Sequence, residues 1–148
     1  MSDDLFAPEH FRYTIRQHVR FRDVDALQHV NHAVYLTYME SARTRYMRDV
    51  LGWDGDMQTL GLILARIEVD YRLPLHFNEQ VEVRARIARL GNKSIDMLYL
   101  LRRIVDDEPA AVVATGKTAL VTFQYSTSSS ISVPDDWRQQ IKDYEPAL

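Results

Sequence analysis

One stretch of this chain carries a long helical periodicity, and it limits what the rest can form. From Asn31 to about Val50 the apolar residues Val34, Tyr35, Tyr38, Met39, Ala42 and Tyr46 fall on one stripe, while Glu40, Arg43 and Arg48 face away from its centre. Asn31 is suited to cap the first free N–H groups, and Gly52 to end the helix. At 1.5 Å per residue the segment makes a rod roughly 28 Å long. A rod of that length needs a broad apolar sheet against it.

The flanking sequence supplies strands. Between His10 and Phe21, Phe11, Tyr13, Ile15, Val19 and Phe21 keep one parity, which predicts a first strand. In Leu60–Tyr71, Ile63, Ala65, Ile67, Val69 and Tyr71 are expected on one face, with Arg66, Glu68 and Asp70 on the other, and Pro74 closes the run. In Val81–Leu90 the inward set is Val81, Val83, Ala85 and Ile87, and the outward set is Glu82, Arg84 and Arg86. If these two strands are neighbours, their outward acids and bases pair. Gly91-Asn92 turns the chain into Ser94–Val105, whose centre, Met97-Leu98-Tyr99-Leu100-Leu101, is apolar on both faces. One helix covers one face only, so the second asks for another subunit. A last strand, Ala110–Gln124, includes Gly116, expected at a bulge or a close backbone approach. Ser126–Ser130 is a polar connector, and Pro134 opens a short helix with an acidic first turn, Asp135-Asp136.

Strand, long helix, then four strands predicts an α+β fold in which a curved antiparallel sheet wraps one central helix. A helix lying on a flatter sheet also fits. At 148 residues the chain suits one domain, with its core over about 10–125 and a connector and short helix over 126–148. A formal net charge of -3 offers no general attraction to nucleic acid or an acidic membrane. The absence of cysteine excludes disulfides, thiolate catalysis and sulfur-ligated zinc or iron–sulfur sites. The acidic start, Met1-Ser2-Asp3-Asp4, does not read as a secretory signal, and no apolar run reaches membrane-spanning length. A cytoplasmic location is expected.

Chemistry-bearing motifs are sparse. There is no glycine-rich phosphate loop, no His-Glu-x-x-His and no Gly-x-Ser-x-Gly. His10, His18, His29, His32 and His76 are scattered; His29 and His32 could converge, but they make two metal ligands without a third. Asp23 and Asp25, read alone, fit loop residues that satisfy nearby backbone N–H groups.

Taken together, the run from Phe21 to Arg43, containing Asp23-Val24-Asp25 and His29-Val30-Asn31-His32, resembles the signature of the 4-hydroxybenzoyl-CoA thioesterase family of hotdog proteins. The likeness continues through Ile67–Leu75, Leu90–Ser94 and the last strand, covering roughly residues 11 to 144. The resemblance implies a hotdog fold and hydrolysis of an acyl-coenzyme A to a carboxylic acid and CoA. It makes Asp25 the catalytic residue, as nucleophile or as general base on water. It places His29, Val30 and Asn31 at the helix start, where free N–H groups and the helix dipole can stabilise an oxyanion. Tyr35, Met39, Leu60 and Ile63 are then expected to shape the acyl pocket, and Arg89, Lys93 and Ser94 to meet coenzyme A. No cofactor or metal is implied. The expected partners are acyl-CoA, or a thioester of acyl-carrier protein, and further copies of the chain in a dimer or dimer of dimers. One departure is Gln28, where the family has glycine; a positive φ there would be costly for Gln. The alternatives are a hotdog dehydratase or hydratase, and an acyl-CoA binding protein with weak turnover.

Overall fold

The computed structural model describes residues 3–56 and 60–148. The predicted helix is α1, His32–Leu51. Asn31 caps it, its side chain accepting the Ala33 N–H at 2.9 Å, and Gly52 ends it in the left-handed conformation. The strands are β1 (Tyr13–His18), β2 (Gly61–Tyr71), β3 (Gln80–Leu90), β4 (Ser94–Val105), β5 (Glu108–Gln124) and the short β6 (Ser129–Ser130). A second helix, α2, spans Asp135–Tyr144 with Pro134 as its N-cap residue. The first strand is shorter than its parity predicted: Phe21–Asp23 forms a 3-10 turn instead.

The main path through the sheet is β1-β3-β4-β5-β2, antiparallel at every step, with β6 on β5. Because α1 connects the two opposite edges, it crosses the whole concave face. Register shifts in β2, β3 and β4 let the sheet curl around it, giving the hotdog architecture. Tyr35, Tyr38, Met39, Ala42 and Tyr46 are buried against Val81, Val83, Ala85, Ile87, Met97, Tyr99 and Leu101. The helix comes closest at Gly116, where an added Cβ would lie 2.7 Å from Met39 Sδ and Cε. Gly116 is therefore the close approach among the two expected possibilities.

Three expectations need correction. First, β2 and β3 are not neighbours, so their outward charges do not pair; Glu82 instead binds Arg102 of β4. Second, the pairing of β2 with β5 shifts between Leu64 and Arg66. The irregularity at Ala65 breaks the supposed single face: Leu62, Ile67 and Val69 pack on the core, while Ile63 is exposed. Third, the second apolar face of β4 is covered by the chain's own N-terminal segment. Phe6 and Phe11 bury Leu98 and Leu100, and Arg84 and Arg86 tie that segment down by donating to the Pro8 and Leu5 carbonyls at 3.0 Å each. The sequence pattern could not show that cover, so this face gives no support for an oligomer. No helix among the described residues is long and apolar enough to cross a membrane.

Candidate active site

The loop from Arg20 to Asn31 closes on itself before entering α1. Asp23 holds its base: one carboxylate oxygen accepts both the Arg20 N–H and the Tyr38 hydroxyl at 2.9 Å, and its carbonyl accepts the Asn31 N–H. Burial, and then the Asp23 acceptor, push the Tyr38 phenol up, so it stays a donor. Asp23 is thus committed to structure.

Above it, Val24 and Val30 form a bridge, and Asp25 faces His29 across a three-residue tip. The Asp25 N–H donates to the His29 carbonyl and the Gln28 N–H to the Asp25 carbonyl, both at 2.9 Å. A turn of this kind ends in a left-handed residue, usually glycine. Here Gln28 takes that place with φ +66°, the strained case anticipated from the sequence. The tip orients Asp25: its Oδ1 accepts the Leu27 N–H at 2.9 Å. Oδ2 has no hydrogen-bond partner among the described residues.

Asp25 lines a cavity of about 410 Å³ with Phe21, Val24, Gln28, His76 and Phe77. Phe21 and Phe77 meet edge to face at 5.9 Å and form an exposed apolar rim. Beside the helix start lies a second cavity of about 270 Å³, lined by His29, Val30, His32, Tyr35, Tyr71, Arg72, Leu73 and Pro74. The Tyr35 hydroxyl donates to the Leu73 carbonyl and accepts from the Leu75 N–H, which fixes its ring in the wall. Tyr71 donates to the His32 carbonyl at 2.9 Å and packs on Tyr35.

The amides expected to stabilise an oxyanion are partly engaged. Val30 N–H donates to the Leu75 carbonyl at 2.8 Å and Asn31 N–H to the Asp23 carbonyl at 2.9 Å. The N–H groups of His29 and His32 have no acceptor among the described residues, so of the three expected residues His29 alone offers a free amide, and His32 adds one that the sequence reading did not name.

Of the expected acyl-pocket residues, Tyr35 alone lines these cavities. Met39 is fully buried under Gly116, Leu60 packs on the core and accepts from the Trp53 indole, and Ile63 faces outward. The expected coenzyme A residues stand at the other end of β3. Arg89 is bound to Asp96 at 2.9 Å and reaches Ser94 Oγ at 3.3 Å, while Lys93 is exposed. Asp25 lies by the Gln80 end of that strand, and 11 strand residues separate the ends by roughly 30 Å. Phe21, His76, Phe77 and Tyr71 were missed. Phe21 continued the parity of the first strand, and His76-Phe77 sits in a loop without periodicity. Among the described residues, no three His, Cys, Asp or Glu side chains converge as a metal site.

Residues 19–141 match the thioesterase-like superfamily. The chain belongs to that family. Its class is that of a thioester hydrolase. It is 24% identical over 135 residues to the long-chain acyl-CoA thioesterase FadM of Escherichia coli, a match spanning 84% of this chain and 92% of FadM. A thioesterase of Thermus thermophilus, solved with coenzyme A and Zn, is 34% identical with a TM-score of 0.77, over 91% of this chain and 95% of that one. A thioesterase-superfamily structure from Jannaschia shares the fold at 22% identity, with a TM-score of 0.84 over 99% and 92% of the two chains.

Proposed function

We propose that the protein hydrolyses an acyl-coenzyme A to its carboxylic acid and CoA, with Asp25 supplying the reacting carboxylate. The observation that carries this reading is the tip geometry: a carboxylate oriented through one oxygen, with its other oxygen unpaired, on the wall of an apolar-rimmed cavity next to the helix start. The His29 and His32 N–H groups, reinforced by the α1 dipole, are the donors offered to the thioester oxygen as charge develops on it. A thiolate leaves readily, since a thiol has a solution pKa of about 8.5, so no strong acid is required. Phe21 and Phe77 suit an apolar acyl group. CoA-bearing and carrier-protein thioesters present the same reacting bond, and the Thermus relative supports the former.

The working form is a homo-oligomer. β2 lies on an open edge of the sheet, with Ile63 and Leu64 exposed. Gly61 sits at the Ser94 end of the sheet and Tyr71 beside the helix start. Antiparallel pairing of two β2 edges about a twofold axis brings the Lys93 end of one copy toward the Asp25 end of the other. That arrangement would let Lys93 and Ser94 meet the CoA of a substrate held by Asp25.

The experiment is a thiol-release screen across acyl-CoA substrates of increasing chain length and aromatic character. Saturable release is expected for at least one apolar acyl group. Saturable binding without release across the panel would replace this reading with an acyl-CoA binding protein. Altered unsaturation with CoA still attached would replace it with a dehydratase or hydratase.

A further inference from the structure

His76 shares the 410 Å³ cavity with Asp25, and these two are its titratable lining residues. The His76 ring is held. Its Nδ1 lies 2.6 Å from Glu79 Oε1, and the same oxygen accepts the His76 backbone N–H at 3.2 Å. Glu79 is anchored in turn through its other oxygen by Arg103, which also binds the Pro74 carbonyl. An ionised carboxylate only accepts hydrogen bonds, so Nδ1 carries a proton, and in the neutral imidazole the Nε2 lone pair is left available. The His29 ring packs against His76 edge-on at 5.2 Å, and the His76 side chain is 48% exposed, open to a ligand. The arrangement is a base with a fixed tautomer beside a carboxylate whose outer oxygen is unpaired.

Resting on the acyl-CoA thioesterase reading above, we propose that His76 is the base that activates water, and that Asp25 acts as the nucleophile. In the first step an Asp25 oxygen bonds the thioester carbonyl carbon. The C–S bond breaks with its electron pair on sulfur, giving CoA thiolate and an acyl anhydride on Asp25. That anhydride has used the carboxylate, so Asp25 cannot also be the base for the next step. Water then bonds the acyl carbon while His76 Nε2 takes one of its protons. The C–O bond to Asp25 breaks with its pair returning to the carboxylate, and the carboxylic acid departs. The imidazolium passes its proton to the thiolate or to solvent, which restores the site.

Thiol release by the full-length protein, followed from the first turnover on its best acyl-CoA, tests the division of labour. His76→Ala is expected to release about one thiol per site in a fast phase and then turn over about 10²-fold more slowly than the unsubstituted protein. Its melting temperature should stay nearly unchanged, and added imidazole should restore part of the steady rate. His76→Asn keeps an amide donor for Glu79 but no base, so it should be as slow as His76→Ala. A structural role for His76 predicts the opposite, recovery in His76→Asn. Steady turnover of His76→Ala within about twofold of the unsubstituted rate, recovery in His76→Asn, or a fall with neither burst nor imidazole rescue would overturn the proposal. These outcomes count against His76 alone when Asp25→Asn is inactive on the same substrate. Absence of thiol release by the unsubstituted protein, or its persistence in Asp25→Asn, removes the underlying reading instead.

Discussion

Asp25 and Glu145 are both carboxylates, and the chain holds them in opposite ways. Glu145 is 6% exposed, and its Oε1 accepts the Tyr46 hydroxyl at 2.6 Å and the Ile87 N–H at 2.8 Å. It fastens the end of α2 to α1 and β3. Burial raises its carboxyl above the ordinary range, and those two hydrogen bonds, with nearby Arg86 and Arg12, oppose the rise. Asp25 stands at a loop tip, its Oδ1 accepting the Leu27 N–H and its Oδ2 without a partner among the described residues, and it lines a cavity. The buried group is closed off from solvent: its Oε1 is taken by two neighbours, and its Oε2 is buried without a partner among the described residues. The tip group is oriented but left able to react, and the fold can lose it without losing a core contact.

Glu145→Ala is the largest stability change expected from this contrast. It leaves the Tyr46 hydroxyl and the Ile87 N–H buried without their acceptor, a loss of about 2 kcal/mol once relief of the buried charge is included. Denaturant unfolding would measure it, and turnover per folded molecule should remain unchanged. An unaltered midpoint would show that Glu145 does not fasten the C-terminal segment.

Glu145→Gln sharpens the comparison through pH. A carboxyl whose folded pKa lies above its unfolded value binds its proton more tightly in the native state. Its contribution is most favourable below the unfolded value, near 4.5, and is lost as pH rises through the raised folded value. The variant lacks that loss. Its melting temperature relative to the unsubstituted protein should therefore increase from pH 4 to pH 7, and a constant difference would contradict the assignment.

Gln28→Gly should have the smallest effect. Relief of the left-handed strain, partly offset by the greater unfolded-state freedom of glycine, should stabilise the chain by up to about 1 kcal/mol. Thermal unfolding with a parallel rate assay would show it, and a destabilised variant would mean that the Gln28 side chain supports the loop.

Much of the fold was legible because local rules governed it. The stripe of Tyr35, Tyr38, Met39, Ala42 and Tyr46, the Asn31 cap and the Gly52 stop follow from neighbours within a few residues, as does the alternation in β3. Parity reading failed where the pleat broke at Ala65, because a bulge leaves little trace in an apolar run. It also failed where Phe6 and Phe11 crossed the outer face, because nothing local says which distant segment will cover Leu98 and Leu100. The site divided in the same way. Asp25, His29 and Tyr35 lay in one contiguous motif, whereas His76 and Phe77 reach it only through the return of the chain at Leu75, whose carbonyl binds the Val30 N–H.

The central claim is that the Asp25 carboxylate performs the chemistry and carries little of the stability. Thiol release and thermal unfolding of Asp25→Asn, measured on one preparation with saturating acyl-CoA, address both halves together. Asn keeps an oxygen for the Leu27 N–H, so the melting temperature should stay near that of the unsubstituted protein. The turnover number should fall by about 10³-fold, or roughly 4 kcal/mol of barrier. Turnover close to the unsubstituted rate in a fully folded Asp25→Asn sample would contradict the account.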